Sequence, residues 1–296
     1  MRRHGSSRSE HAGSARGLLV LAALLPLVLA CGPIHGPSDD EDGGPWVHLE
    51  PGLALGTFAL TTPDVDHAAA MDAVRVLRVD PARFDVRLLN ASAPDQGQSL
   101  TAREWARRHD LVAAINAGMY QEDMLTSVSL MRSAAHTNNS HLTRHRSILA
   151  FDALDESTPP VKVIDLECEP FEEWKDRYAS MVQSIRMLSC TGDNVWEPQP
   201  QKATTAAVGT DREGRLVFVH VRVPVGTHEL IDALVDLPLD LHRLMYVEGG
   251  LEAQLYVRAG GREFEFLGRP VSFPEGVQVT AWPIPNVIGV ARRGED

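Results

Sequence analysis

The stretch that decides the fold is MYVEGGLEAQLYV, Met245 to Val257. Strand-like apolar residues stand on both sides of two carboxylates, Glu248 and Glu252, and two glycines, Gly249 and Gly250. Acids do not enter a core without a partner or a purpose. Glycine is the residue that lets a backbone turn sharply or meet another chain closely. The stretch therefore reads as a strand that stops, turns at a polar rim and starts again.

Two other segments end in the same way. AINAGMY (Ala114–Tyr120) and TTAAVG (Thr204–Gly209) are apolar runs that finish in polar or glycine residues. Side chains at strand ends can be held rigidly at a sheet rim. Taken singly, Asn116-Ala117-Gly118 is also an ordinary turn sequence, and Glu248-Gly249-Gly250 is also the composition of a β-bulge.

Outward from these segments the pattern is rich in strands. AVRVLRVDPARFDVRLLNAS (Ala73–Ser92) alternates apolar and polar, and predicts two strands joined as a hairpin at Asp80-Pro81. Thr101 and Glu104 form a capping box that opens a helix ending near Asp110. LVAAIN (Leu111–Asn116) has the length of a buried strand. Further strands are predicted at Ser127–Arg132 and Ser147–Phe151, and helical spacing at Phe171–Gln183. TAAVGTDREGRLVFVHVRV holds two strands around a turn at Asp211–Gly214, and His228–Leu237 reads as an amphipathic helix stopped by Pro238. Strands at Leu255–Arg258 and Glu263–Leu267 flank the turn Ala259-Gly260-Gly261. The expected class is α+β, with a large, mostly antiparallel sheet and packed helices.

The first 30 residues read as a leader. Arg2, Arg3, Arg8 and Arg16 precede the apolar run Leu18–Ala30, which is too short for an ordinary membrane span. VLAC, ending at Cys31, resembles a bacterial lipobox, which implies cleavage before Cys31 and lipid on its sulfur; ordinary signal cleavage nearby is the alternative. Residues 31–45, with the acidic run Asp39-Asp40-Glu41-Asp42, read as a tether. Residues 46–296 then form one domain, expected in the bacterial cell envelope, lipid-anchored at the outer membrane or facing the periplasm.

The leader holds four Arg and one Glu, so the remainder carries 24 basic against 39 acidic residues. That excess argues against nucleic acid and against charge-driven adhesion to anionic lipid, leaving the N-terminal lipid as the membrane contact. Cys168 and Cys190 are an even pair in an exported chain and predict a disulfide.

INAGMY (Ile115–Tyr120), AAVGTDREGRLVFVHV (Ala206–Val221) and MYVEGGLEAQLYV (Met245–Val257) occur in the order, and at roughly the separations, of the phosphodiester glycosidase family, which this sequence resembles. The closing PIPNVIGVARR (Pro283–Arg293) resembles that family's last strand. The resemblance implies a site between these segments, acting on a sugar-phosphodiester or an envelope glycan. It implies Glu248 as the catalytic or sugar-binding carboxylate, standing where many members carry Asp; the extra methylene moves its oxygens by about 1 Å. Asn116 matches the family's Asn and Gly118 its Gly. Thr205 stands where many members carry Arg, with Lys202 three residues earlier. A threonine does not replace an arginine fork on a phosphate, and Arg132 or Arg144 is then the candidate for the missing charge.

Glu252 is the second candidate acid; on one strand, four residues from Glu248, it would face the same side. Its alternative role is to accept backbone N–H groups and fix the loop. Gly249 and Gly250 are expected to let substrate approach the backbone, and Asn138 or Asn139 to line a carbohydrate pocket. His136, His141 and His145 lack zinc spacing and sit in a loop composition. His220 lies on an apolar strand and reads as a sheet residue with its hydrogen bonds satisfied. No nucleotide loop, GxSxG or HExxH is present, and no cofactor or metal is expected. A non-catalytic glycan-binding lipoprotein on the same fold is the competing reading.

Overall fold

The computed structural model describes residues 44–63, 65–273 and 277–294. The leader, Cys31 and most of the tether lie outside the described residues.

In chain order the elements begin with β1 (Trp46–Glu50), β2 (Leu53–Phe58), α1 (His67–Ala70), β3 (Val74–Val79) and β4 (Phe84–Asn90). Next come α2 (Ala102–Arg108), β5 (Ala113–Asn116), β6 (Met131–Arg132), β7 (Thr137–Asn139), β8 (Ser147–Ala153) and β9 (Val161–Asp165). They continue with α3 (Phe171–Trp174), β10 (Tyr178–Arg186), β11 (Lys202–Asp211), β12 (Leu216–Gly226) and α4 (Thr227–Asp236). Last are β13 (Leu241–Gly249), a single 3₁₀ turn (Gly250–Glu252), β14 (Gln254–Ala259), β15 (Arg262–Leu267) and β16 (Asn286–Arg292).

The class is α+β and strongly antiparallel, in two sheets. The larger has eleven strands and runs β1-β2-β3-β12-β11-β13-β10-β6-β7, with β8 also on β10 and β9 on β8. The smaller has five strands in the order β15-β14-β5-β16-β4.

Period-two alternation explains how the sheets stack. Leu77, Val208, Phe218 and Met245 of the large sheet meet Ile115, Leu255, Val257 and Ile288 of the small one in a shared core. The opposite residues of the large sheet, Val76, Ala207 and Val219, pack under Leu230, Ile231 and Leu234 of α4. The opposite face of the small sheet, Ala114, Tyr256 and Val287, packs under Trp105 and Ala106 of α2. The layers thus run helix, sheet, sheet, helix. The expected capping box opens α2, with Thr101 and Glu104 each accepting from the other's backbone N–H.

Three expectations are corrected. β3 and β4 do not form a hairpin: β3 pairs with β2 and β12, and β4 with β16, so the turn at Asp80-Pro81 passes the chain between sheets. Leu77 and Val79 of β3 and Phe84, Val86 and Leu88 of β4 all feed the inter-sheet core. Stacking face to face buries both apolar faces at once. The helix expected over Phe171–Gln183 ends at Trp174, and Tyr178 onward is β10. That strand is buried from Ser180 through Ser184, on both faces, so its apolar residues do not alternate. The strand expected at Ser127–Arg132 is also shorter, Met131–Arg132.

Cys168 and Cys190 are joined in a disulfide, 22 residues apart in sequence. It ties the end of β9 to the segment after β10. The same junction holds Asp165, fully buried, with both carboxylate oxygens accepting from Arg186 Nη1 at 3.0 and 3.2 Å. Closing a loop of this length contributes about 3 kcal/mol, chiefly by restricting the unfolded chain. Reduction, or Cys168→Ser, is expected to lower the unfolding free energy by about that amount in urea titrations; an unchanged midpoint would contradict the assignment.

Candidate active site

β13 belongs to the large sheet and β14 to the small one, so the few residues between them carry the chain across the sandwich. Gly250 sits at φ +68, in the left-handed region that favours glycine. Gly249 is needed for space: a Cβ there would lie 2.5 Å from the Tyr246 hydroxyl oxygen and 3.0 Å from the Thr204 carbonyl oxygen. The crossing is pinned from several elements. Thr204 Oγ1 donates to Gly250 O (3.1 Å) and accepts from Arg269 N (3.1 Å). Ala253 O accepts from Gly268 N at 2.7 Å. It also bonds His220 Nε2 at 3.1 Å.

Just before the crossing, β13 bulges. Ala207 registers with Tyr246 and Ala206 with Glu248, leaving Val247 as the extra residue. A bulge re-aims the side chain that follows it. Strict alternation from Val247 would put Glu248 on the α4 side. The bulge puts it in register with Ala206, whose side chain belongs to the inter-sheet core. Along that face Thr57, Arg75, His220, Ala206 and Glu248 form one row across five strands.

Glu248 is half-buried. Burial pushes its carboxyl up to about 7; the Gly249 N–H, 3.0 Å from Oε1, pulls the other way, and the negative Glu252 pushes it further up. Glu252, on the 3₁₀ turn, accepts from the Tyr120 hydroxyl at 3.1 Å. Tyr120 ends the INAGMY segment, so that hydrogen bond joins two of the three sequence segments. Both neighbouring phenols, Tyr120 and Tyr246, are held well above the ordinary tyrosine range, by burial first and then by the two carboxylates.

Asn116 arrives from the small sheet at the end of β5. It is 2 % exposed, and its Oδ1 accepts from Gln254 N at 3.2 Å. A backbone N–H can only donate, which settles which amide atom is the oxygen. The Nδ2 group is buried with no partner. An unmatched buried donor costs about 1–3 kcal/mol, a cost that a ligand oxygen would offset. Thr205 registers opposite Gly249 and is 1 % exposed, with Oγ1 also lacking a partner. Gly118 leaves room around its backbone: the nearest atom to a Cβ there is Met131 Cε at 3.9 Å. A cleft of about 520 Å³ is lined by Arg222, Val223, Leu267 and Arg269 among others; Arg269 links it to Thr204, and Asn116, Glu248 and Glu252 do not line it.

The other candidates are engaged in contacts of their own, and Asn138 and Asn139 hold Ser127, which bridges Tyr120. The guanidinium of Arg132 donates to the carbonyls of Lys175 and Tyr178, so it serves the α3–β10 junction. Arg144 is exposed beside His145. Asn139 is buried with Nδ2 on Ser127 O and Oδ1 on His141 N, a loop-fixing role. Asn138 bonds Ser92, Ser127 and Leu125. His136 bonds Ser92 and His145 bonds Ser129. Among the described residues, the one group of donors near enough to share a metal ion is Asp165, Cys168 and Cys190. Its two sulfurs are bonded to each other, so it is not a metal site. Sequence reasoning passed over Tyr120 and Tyr246. Tyr120 stands in the INAGMY segment, and its place two residues after Gly118 was the available signal.

The fold is thus two stacked antiparallel sheets joined at a crossing that carries Glu248 and Glu252. The family profile described as phosphodiester glycosidase matches residues 109–291, and the chain belongs to that family. It is similar in structure to the catalytic domain of zebrafish N-acetylglucosamine-1-phosphodiester alpha-N-acetylglucosaminidase, auto-inhibited by its pro-peptide, at TM-score 0.59 and 12% identity over 82% of this chain and 85% of that one. A hypothetical protein from Synechocystis is similar at TM-score 0.55 and 12% identity, over 84% of this chain and 63% of that one. At these identities the likeness is one of fold. No curated protein matches by sequence.

The raised Glu248 carboxyl has a consequence for stability. Above its unfolded value of 4.5 the unfolded chain loses this proton first, so folding stability falls as pH rises from there to about 7. Glu248→Gln removes that penalty. The variant is expected to be more stable than the parent at pH 8, by about 1–3 kcal/mol, with the gain vanishing toward pH 4.5. Thermal unfolding across pH tests this; equal destabilisation at all pH values would contradict it.

Proposed function

We propose that this chain is an exported, lipid-anchored hydrolase that cleaves a sugar-phosphodiester or a related envelope glycan at the anomeric carbon. The observation that carries the reading is the meeting of Asn116, Glu248 and Glu252, from two sheets, at one crossing. A phosphate leaves readily without much protonation. The work left to the protein is to supply a nucleophile and to stabilise the positive charge that builds on the sugar ring. Glu248 serves at the anomeric carbon, as base toward water or as nucleophile, and both roles need its ionised form. The C1–O bond breaks with its electron pair going to the phosphate oxygen, and water supplies the new C1–O bond. Glu252, held by Tyr120, adds negative charge beside the developing cation. The free Nδ2 of Asn116 donates to a sugar or phosphate oxygen.

Arg132 is engaged with backbone carbonyls and Thr205 carries no charge. That pair of observations favours a second reading, a module that binds glycan without turning it over. Release of sugar from a glycosyl-1-phosphodiester separates the two. The hydrolase reading predicts kcat/KM rising with pH through about 7, the value to which Glu248 is pushed. It predicts a loss of about 10²–10⁴-fold in Glu248→Gln. Saturable binding with no turnover would establish the second reading, and full activity in Glu248→Gln would remove that carboxylate from the chemistry.

The lipobox-like VLAC supports anchoring through Cys31. Cys31→Ser expressed in a bacterium is expected to move the protein from the membrane to the soluble fraction; continued membrane retention would contradict the anchor.

A further inference from the structure

The peptide group joining Ala253 to Gln254 is gripped at both ends. Its carbonyl oxygen bonds His220 Nε2 at 3.1 Å and Gly268 N at 2.7 Å. Its N–H donates to Asn116 Oδ1 at 3.2 Å. Three strands and the segment after β15 therefore meet at one peptide plane. That plane directly follows the turn carrying Glu252.

His220 is an odd residue for its place. It is 0 % exposed on a strand whose neighbours Phe218, Val219 and Val221 are all buried and apolar. Burial pushes its imidazole down to about 4, so the ring is neutral across the working range. A neutral ring has a single N–H. The bond to a carbonyl places that proton on Nε2 and leaves Nδ1 a bare acceptor, for which no partner is present. An apolar side chain would fill this position without stranding a buried nitrogen. What the histidine adds is the bond to Ala253 O.

We infer that His220 is a positioning residue for Asn116, acting through the Ala253–Gln254 peptide group. The peptide is planar, so fixing its oxygen fixes the direction of its N–H. A carbonyl that accepts two hydrogen bonds also polarises its own peptide group and makes the N–H a stronger donor. That N–H clamps Asn116 Oδ1, and the clamp sets where the unpartnered Nδ2 points. His220 thus sets the aim of the donor that the proposed substrate meets, without touching substrate itself. The inference rests on the hydrolase reading for its kinetic consequence only; its structural core stands apart from it.

The test compares His220→Leu, which removes the donor, with His220→Gln, which keeps one at similar reach, in the full chain. His220→Asn, polar but too short to reach Ala253 O, serves if the leucine variant does not fold. Amide hydrogen exchange at Gln254 in the ligand-free protein is expected to quicken by about tenfold in the leucine or asparagine variant and to stay near the parent rate in His220→Gln. Unchanged protection at Gln254 overturns the inference, whatever the activity. With a glycosyl-1-phosphodiester, kcat/KM is expected to fall about tenfold in the leucine variant. Adding that change to Asn116→Ala is expected to cost nothing further, because the clamp has no target left. Fully additive losses overturn the inference. Absence of turnover in the parent would strike the hydrolase reading alone and leave the exchange measurement to decide.

Discussion

Everything at the candidate site depends on one backbone crossing. The chain must leave the large sheet at Gly249, turn within a single 3₁₀ turn and enter the small sheet at Gln254. Gly250 supplies the positive φ, and Gly249 the room beside Tyr246. Two apolar sheets stacked face to face leave no water between them to satisfy a connecting backbone, so the crossing has to find its hydrogen bonds in protein. Thr204, Gly268 and His220 provide them. A connection held this tightly can keep carboxylates in fixed positions at the edge of a dry core.

The electrostatics follow from that placement. Glu248 is brought by the bulge to the inter-sheet side, where burial and the charge of Glu252 oppose its ionisation. A carboxylate near 7 is poorly matched to stability and well matched to proton transfer at neutral pH. The orphaned donor of Asn116 and the orphaned hydroxyl of Thr205 have the same character. Each is a local cost to the fold: Thr205 registers opposite Gly249, before the turn, and Asn116 bonds Gln254, after it.

Much of this was legible in the sequence, for definite reasons. The capping box at Thr101 and Glu104, the turn at Asp211–Gly214 and the helix stopped before Pro238 are local signals, and local signals survive in the fold. The three segments that end in polar or glycine residues do come together, β11 beside β13 and β14 beside β5. What failed was whatever depended on which strands are neighbours. Alternation in Val74–Val79 and Phe84–Asn90 marks two half-buried strands equally well in one sheet or in two facing sheets. β10, buried on both faces, carries no period to distinguish it from a helix. The orientation of Glu248 was hidden because a one-residue bulge reverses the parity that alternation relies on. Tyr120 and His220 were hidden because their partners, Glu252 and the Ala253 carbonyl, lie 132 and 33 residues away.

The central claim is that the crossing holds Glu248 in an environment that resists its negative charge, with Glu252 contributing. Carbon-13 NMR titration of the side-chain carboxyl of Glu248 in the ligand-free protein measures this directly. A midpoint near 7, falling in Glu252→Gln, is the result the structure predicts. A midpoint at the ordinary 4.5, unmoved by that substitution, would contradict it.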